Sequence, residues 1–248
     1  MKSFLLTLVT VAWATVSVAT AQTIYTGHWD ISAHGHLHDG DMELEVGLHN
    51  HDLNTEIELP NSGVQFQIGF GNASGTAPAP KQSVTIGSTP LGQVWVTAPD
   101  EASADLLNQP FIGFSAEELT TGWSGNVTFT LTGLIYTPRS GLLNPVGNLF
   151  LFEDEDLYWN TNQTLGVGGN YGVFTVAAGQ HAHGEFAFSD EGLYELTLVV
   201  SGTLSGAPVT SSPTQLSVNV VPEPSSGALL LAGLAAVAVT RRRIRRSV

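Results

Sequence analysis

"GHWDISAHGHLHDGDMELEVGLHNHD", residues Gly27 to Asp52, holds six of the chain's eight histidines. Asp39-Gly40 in its middle is a strong hairpin signal, because both residues accept the positive φ of a type I′ turn. With those two residues as the turn, residue i on one strand faces residue 79 − i on the other. His38 then faces Asp41, His36 faces Glu43, His34 faces Glu45, Asp30 faces His49 and His28 faces His51. The intervening positions pair Leu37 with Met42, Ala33 with Val46 and Ile31 with Leu48. Successive strand residues point to opposite faces, so the hairpin divides into an apolar core face and a face of imidazoles and carboxylates.

Strand patterning continues outward from there. "VTFTLTGLIY" (Val127 to Tyr136), "LYELTLVVSG" (Leu193 to Gly202) and "TQLSVNVV" (Thr214 to Val221) alternate with period two. Gly, Pro, Asn and Ser clusters at Gly71 to Pro80, Pro138 to Pro145 and Gly166 to Asn170 separate such runs. One helical turn is expected from Ser115, where Glu118 completes an S-x-x-E capping box. Many short strands with Gly/Pro turns predict an all-β domain over 22–220, an Ig-like or jelly-roll β-sandwich.

The ends of the chain read as addresses. Lys2, an apolar run from Phe4 to about Val18 and then Ala19-Thr20-Ala21 make a secretory signal peptide over 1–21. Beyond the domain, 221–248 begins with Pro222-Glu223-Pro224, continues through an apolar helix over 227–240 and ends in the arginine cluster 241–246. That helix covers roughly 20 Å against a hydrocarbon core of about 30 Å, which makes it a marginal permanent anchor. The arginines belong on the cytoplasmic side. Motif, helix and basic cluster in this order resemble the PEP-CTERM sorting signal. The resemblance implies an exosortase-type processing protease as partner, cleavage near Pro222-Glu223-Pro224, transient inner-membrane anchoring, and delivery to the cell surface or exopolysaccharide matrix.

Charge narrows the partners. The chain carries a formal net charge of −14 and no cysteine. Between residues 22 and 220 only Lys81 and Arg139 are basic. Nothing in the domain neutralises phosphates, so nucleic acid is excluded. An anionic polysaccharide would need bridging divalent cations, which an acidic surface concentrates. The absence of disulfides leaves the exported domain to stand on its core alone.

The histidines carry the functional reading. His28, Asp30, His49 and His51 form two adjacent cross-strand pairs whose Cβ atoms would lie about 5 Å apart. Imidazole nitrogens with a carboxylate suit zinc or a similar divalent transition metal, whereas calcium and magnesium prefer oxygen alone. The other two histidines, His181 and His183, form an H-x-H pair in "GQHAHGEFAFSDEGLYELTL". A flat hairpin face leaves a metal open to water, so the strand bearing His181 and His183 is expected to lie over its His28/His51 end. One site would then draw ligands from His28, His49, His51, His181 and His183, with Asp30 orienting an imidazole from behind. His34, His36, Glu43 and Glu45 read either as solvated His–carboxylate pairs or as a weaker metal site, beyond reach of the first.

Gly179-x-His181-x-His183, Phe186-x-Phe188 and Gly192-x-Tyr194, with "GHWD" at Gly27, "GQVWV" before Pro99 and "IGFSAEEL" at Ile112, resemble the choice-of-anchor M, or actinobacterial surface-anchored, domain. Glu185-Phe186 and Pro99-Asp100 depart from its usual Asn-Trp and Pro-Gln. The resemblance implies an exported surface domain with a variable anchor and ties to metal-uptake transporters. It supports His28, His181 and His183, and His49 and His51 less securely.

Other signals are weaker. Glu153 to Asp156 read as an exposed acidic turn, since no Gly hinge or EF-hand spacing follows. Trp29, Trp95, Trp123 and Trp159 read as core aromatics rather than sugar platforms. No G-x-S-x-G, H-E-x-x-H or cysteine nucleophile occurs, so the expected activity is binding and not catalysis. The expectation is a surface-sorted sandwich that scavenges or stores zinc. The alternative is a structural or adhesive exopolysaccharide-matrix module with no metal role.

Overall fold

The computed structural model describes residues 22–38, 41–59, 64–69, 81–162 and 170–221. The signal-peptide segment, the Asp39-Gly40 turn, the 71–80 cluster, most of the Gly166 to Asn170 turn and the whole tail from Pro222 lie outside the described residues.

The first elements are β1 (Thr23–Ile24), β2 (Gly27–His38), β3 (Asp41–Asn50), β4 (Thr55–Glu58), β5 (Gln65–Gly69), β6 (Gln82–Ile86) and β7 (Thr89–Val96). Next come α1 (Glu101–Leu107), β8 (Pro110–Ser115), β9 (Trp123–Pro138), β10 (Leu149–Glu153) and β11 (Asp156–Asn160). The chain closes with β12 (Val173–Ala177), β13 (His181–His183), β14 (Glu185–Phe188), β15 (Gly192–Leu204), β16 (Ala207–Thr210) and β17 (Thr214–Val221). The fold is an all-β sandwich.

One layer is a 7-stranded sheet in the order β1-β5-β17-β15-β9-β12, with β16 on β15. Two 5-stranded sheets, β11-β10-β14-β7-β6 and β13-β8-β2-β3-β4, complete the structure. A single apolar cluster joins all three, with Phe66, Phe129, Leu196 and Leu198 from the large sheet, Ile31, Val46, Leu48 and Phe114 from the β2–β3 sheet, and Leu151, Phe186 and Phe188 from the third. Each such fully buried side chain contributes about 1.5–3 kcal/mol relative to exposure. Trp29 and Trp159 are buried in this cluster, and Trp95 and Trp123 pack against it half-buried. Tyr194 donates its hydroxyl to the Asp190 carbonyl at 2.7 Å, a tyrosine corner like that of Greek-key sandwiches.

The β2–β3 ladder has the register the hairpin reading requires. Asp30 pairs with His49, Ile31 with Leu48, Ala33 with Val46, His34 with Glu45, His36 with Glu43, Leu37 with Met42 and His38 with Asp41. His51 donates its backbone N–H to the His28 carbonyl at 3.0 Å, extending the pairing one step. Ile31, Ala33, Val46 and Leu48 are all buried. Glu153 to Asp156 form a tight turn between β10 and β11 and are exposed.

The expected helical turn at Ser115 does not form. Ser115 ends β8, and Ala116 to Leu119 make a turn closed by the Leu119 N–H on the Ala116 carbonyl at 3.0 Å. Thr120, Thr121 and Gly122 follow, and β-branched residues and glycine do not propagate a helix. The helix lies instead at α1, where Asp100 accepts the Ser103 N–H at 2.8 Å and Asn108 closes the C-terminus with φ 53°. Among the described residues no helix is long and apolar enough to cross a membrane, and the 227–240 segment lies outside them.

Candidate metal centre

One face of the β13-β8-β2-β3-β4 sheet is in the core, and the period-two alternation sends the polar residues to the other. Ladder partners set the rows. His183 pairs with Gly113, Gly113 with Asp30, Asp30 with His49, and His49 with Glu56, so one row crosses all five strands. The next row places His181, Ser115, Ser32, Gly47 and Glu58 in line. His28 and Phe111 pair on the other side of the first row.

The two histidine groups therefore meet, but not by one strand lying over the other. β13 is an edge strand of the same sheet, separated from β2 by β8. Strands two apart lie more than 9 Å from each other, too far for a shared ligand without a gap between them. Gly113 is the gap. A Cβ there would sit 2.3 Å from Asp30 Oδ1 and 2.5 Å from both Cε1 and Nδ1 of His183. Its φ is not in the left-handed region, so space and not backbone conformation requires the glycine.

Ring centroids separate His28 from His51 by 4.3 Å, from His183 by 4.9 Å and from His181 by 6.3 Å. His51 and His181 are 5.2 Å apart, and His181 and His183 are 5.4 Å apart. Asp30, 0 % exposed, lies among these imidazoles instead of behind them. Its Oδ2 is 2.8 Å from His51 Nε2 and its Oδ1 is 3.7 Å from His28 Nε2. Two sets of metal-ligating atoms result, His28/Asp30/His183 and Asp30/His51/His181, each with its members within 4.8 Å of one another. His49 joins neither set. Its ring is 4.8 Å from that of His51, but its Nδ1 turns toward Glu56 Oε1 at 3.8 Å.

Five buried side-chain polar atoms among the described residues have no hydrogen-bond partner, and three of them are His28 Nε2, Asp30 Oδ1 and His183 Nδ1. Leaving one such atom unsatisfied costs about 1–3 kcal/mol. Three converging on one point are what a cation would satisfy together.

Acids that sequence reading did not assign surround the cluster. Glu117 accepts from His181 Nδ1 at 2.8 Å, which leaves the Nε2 lone pair of His181 free to bind metal. Glu101, from the first turn of α1, is 3.7 Å from His28 Nδ1, and Asp52 accepts the His28 backbone N–H at 3.0 Å. The period-two acids of "TEIE" were an unused signal for Glu56, whereas nothing local marks Glu101.

Electrostatics follow from burial and these contacts. The Asp30 carboxylate, 3.7 Å away, raises the His28 pKa above its ordinary value, against the opposing effect of burial. Burial pushes the Asp30 carboxyl up, but the adjacent His28, the hydrogen bond from His51 and the nearby His183 outweigh it and hold the carboxyl below the usual range. Burial lowers the His183 pKa, favouring the neutral imidazole that metals bind.

His34 and His36 lie apart from this cluster, as their distance along β2 requires. His34 turns away from its ladder partner Glu45 and meets Glu56 and Glu118 at 2.9 and 3.0 Å. His36 is half-exposed, 3.9 Å from Glu45, while Glu43 faces it across the ladder. The expected grouping of His34 with Glu43 and Glu45 is thus replaced by one with acids from β4 and the 116–119 turn. The cause is burial: His34 is 4 % exposed and needs carboxylates that reach over it.

Fold and cluster together define an all-β domain that presents half-buried imidazoles around the buried Asp30 carboxylate on one sheet face. Residues 220–246 match the family model of the PEP-CTERM protein-sorting motif. The protein is an exported, surface-sorted one, and the motif implies processing by an exosortase. No curated protein and no solved structure matches the chain.

Proposed function

We propose that this surface-sorted domain binds zinc, or a similar divalent transition metal, for scavenging or storage at the cell surface. The observation that supports it best is the convergence of three orphaned buried atoms, His28 Nε2, Asp30 Oδ1 and His183 Nδ1. Two nitrogens and a carboxylate oxygen are a three-ligand zinc set. His51 and His181, on the other Asp30 oxygen, stand next to it for the fourth position. Glu117 and Glu101 orient imidazoles from outside, as carboxylates do around zinc histidines. His49 is a positioning residue in this reading. The domain binds and does not catalyse. The likeness to choice-of-anchor M domains adds a metal-uptake transporter as the receiving partner, and the 227–240 segment serves as a transient anchor before cleavage.

The test is calorimetric zinc titration of the full chain. Binding that His28→Ala and His183→Ala each weaken about 100-fold or more supports the reading. No binding, or binding indifferent to both changes, sinks it and favours a matrix module.

A further inference from the structure

His34 is an imidazole with more acid around it than hydrogen bonding can use. Its Nδ1 lies 2.9 Å from Glu56 Oε1 and 3.0 Å from Glu118 Oε2. One ring nitrogen offers one proton or one lone pair, directed in the ring plane. It cannot serve two carboxylates well. The three ligand atoms lie within 4.8 Å of one another.

The cradle around His34 is built for the ring. Gly47 lies beneath it, and a Cβ there would come 2.5 Å from His34 Nε2 and 2.9 Å from Cδ2. As at Gly113, φ is not in the left-handed region, so the missing side chain serves space. Among the described residues no fixed cation balances the acids. Lys81 pairs with Asp190, and Arg139 with Glu191, both away from this sheet. With a neutral imidazole the group carries two carboxylates facing each other. Burial raises the Glu56 pKa, while Glu118, hydrogen-bonded to His34 and Glu56, is held below its ordinary value against its own burial.

We propose that His34, Glu56 and Glu118 form a second divalent-cation site, distinct from the His28–His183 cluster and richer in oxygen. One nitrogen and two carboxylates, with both glutamates partly exposed to water, suit Mn²⁺ as well as Zn²⁺. The turn from Ala116 to Leu119 serves both sites, Glu117 reaching His181 and Glu118 reaching His34. No residue of this site is a ligand of the other, so its occupancy does not depend on the function proposed above.

The test counts metal per chain in the full-length protein by equilibrium dialysis against zinc and elemental mass spectrometry. The native chain is expected to hold about two zinc ions, one at the His28–His183 cluster and one at His34, Glu56 and Glu118. Glu118→Gln weakens one of them about 100-fold and leaves the other. In His183→Ala the His34 site remains, and it takes up Mn²⁺, read as loss of the free-ion electron paramagnetic resonance spectrum. Gly47→Ala, which displaces the His34 imidazole without replacing any ligand residue, abolishes that uptake. One zinc per chain, unaltered by Glu118→Gln, overturns this proposal and leaves the His28–His183 reading intact. One zinc that survives His183→Ala and is lost in Glu118→Gln overturns that reading and upholds this one. Circular dichroism melts establish that each variant is folded. Should Glu118→Gln not fold, full zinc and manganese retention in Gly47→Ala overturns the proposal.

Discussion

Gly113→Ala separates metal binding from folding most cleanly. The new methyl would land 2.3 Å from Asp30 Oδ1 and 2.5 Å from His183 Nδ1, where ordinary contact begins at 3.4 Å. Asp30 is fully buried on a central strand and cannot yield. His183, half-buried on the edge strand β13, must move by roughly 1 Å, whereas metal–ligand distances tolerate about 0.2 Å. Zinc affinity should therefore fall about 100-fold, or about 2.8 kcal/mol. Stability of the metal-free protein should change less. Overpacking costs about 1–3 kcal/mol, and removing glycine from a strand returns about 0.4–1 kcal/mol. The net is about 1–2 kcal/mol. Zinc titration followed by urea denaturation in chelator measures both quantities on one preparation. Native zinc affinity in Gly113→Ala would refute the argument that His183 and Asp30 share a ligand across β8.

Asp30→Asn should abolish zinc binding at the His28–His183 cluster and also flatten the acid limb of metal-free stability. The native carboxyl lies below 3.8, so it stabilises above that value and the contribution is lost as pH falls through the folded pKa; urea midpoints between about pH 5 and pH 2 report this. His28 has the opposite sign: its raised pKa gives stability that is full below 6.5 and lost as pH rises through the folded value. Zinc must displace that proton, so binding near neutral pH should release protons into weak buffer, and His28→Ala should release fewer. Zinc affinity should also decline from above pH 6.5 downward, and a flat profile would indicate carboxylate ligands alone. Intact mass of surface-extracted protein should end near Val221, and mature chains still carrying Arg246 would contradict exosortase processing.

The hairpin was legible because two independent signals coincide in it. In the sequence Asp39-Gly40 reads as a turn signal, and alternation from His28 to His51 fixes the register, so a one-residue slip would expose Ile31 and Leu48. The approach of His181 to His28 followed from chemistry, since no other imidazoles remained to complete a site. Its route did not. The parallel β2–β8 pairing joins residues about 80 apart, and parallel ladders leave no local turn to read. Gly113 was the available clue, because a glycine inside the strand pattern "FIGFS" marks a close approach. At Ser115 a capping box was present without the helix-forming run behind it, and the freed Glu117 and Glu118 became partners of His181 and His34. Asp100 was the real N-cap, with Glu-Ala-Ser-Ala following it.

The central claim is that an ion sits between β2 and β13. Anomalous diffraction at the zinc edge, from crystals of zinc-loaded protein, locates it directly. A peak is expected bonded to His28 Nε2, Asp30 Oδ1 and His183 Nδ1, with ligand distances near 2.0–2.2 Å. Zinc found only elsewhere, as at the exposed Glu153 to Asp156 turn, would contradict it.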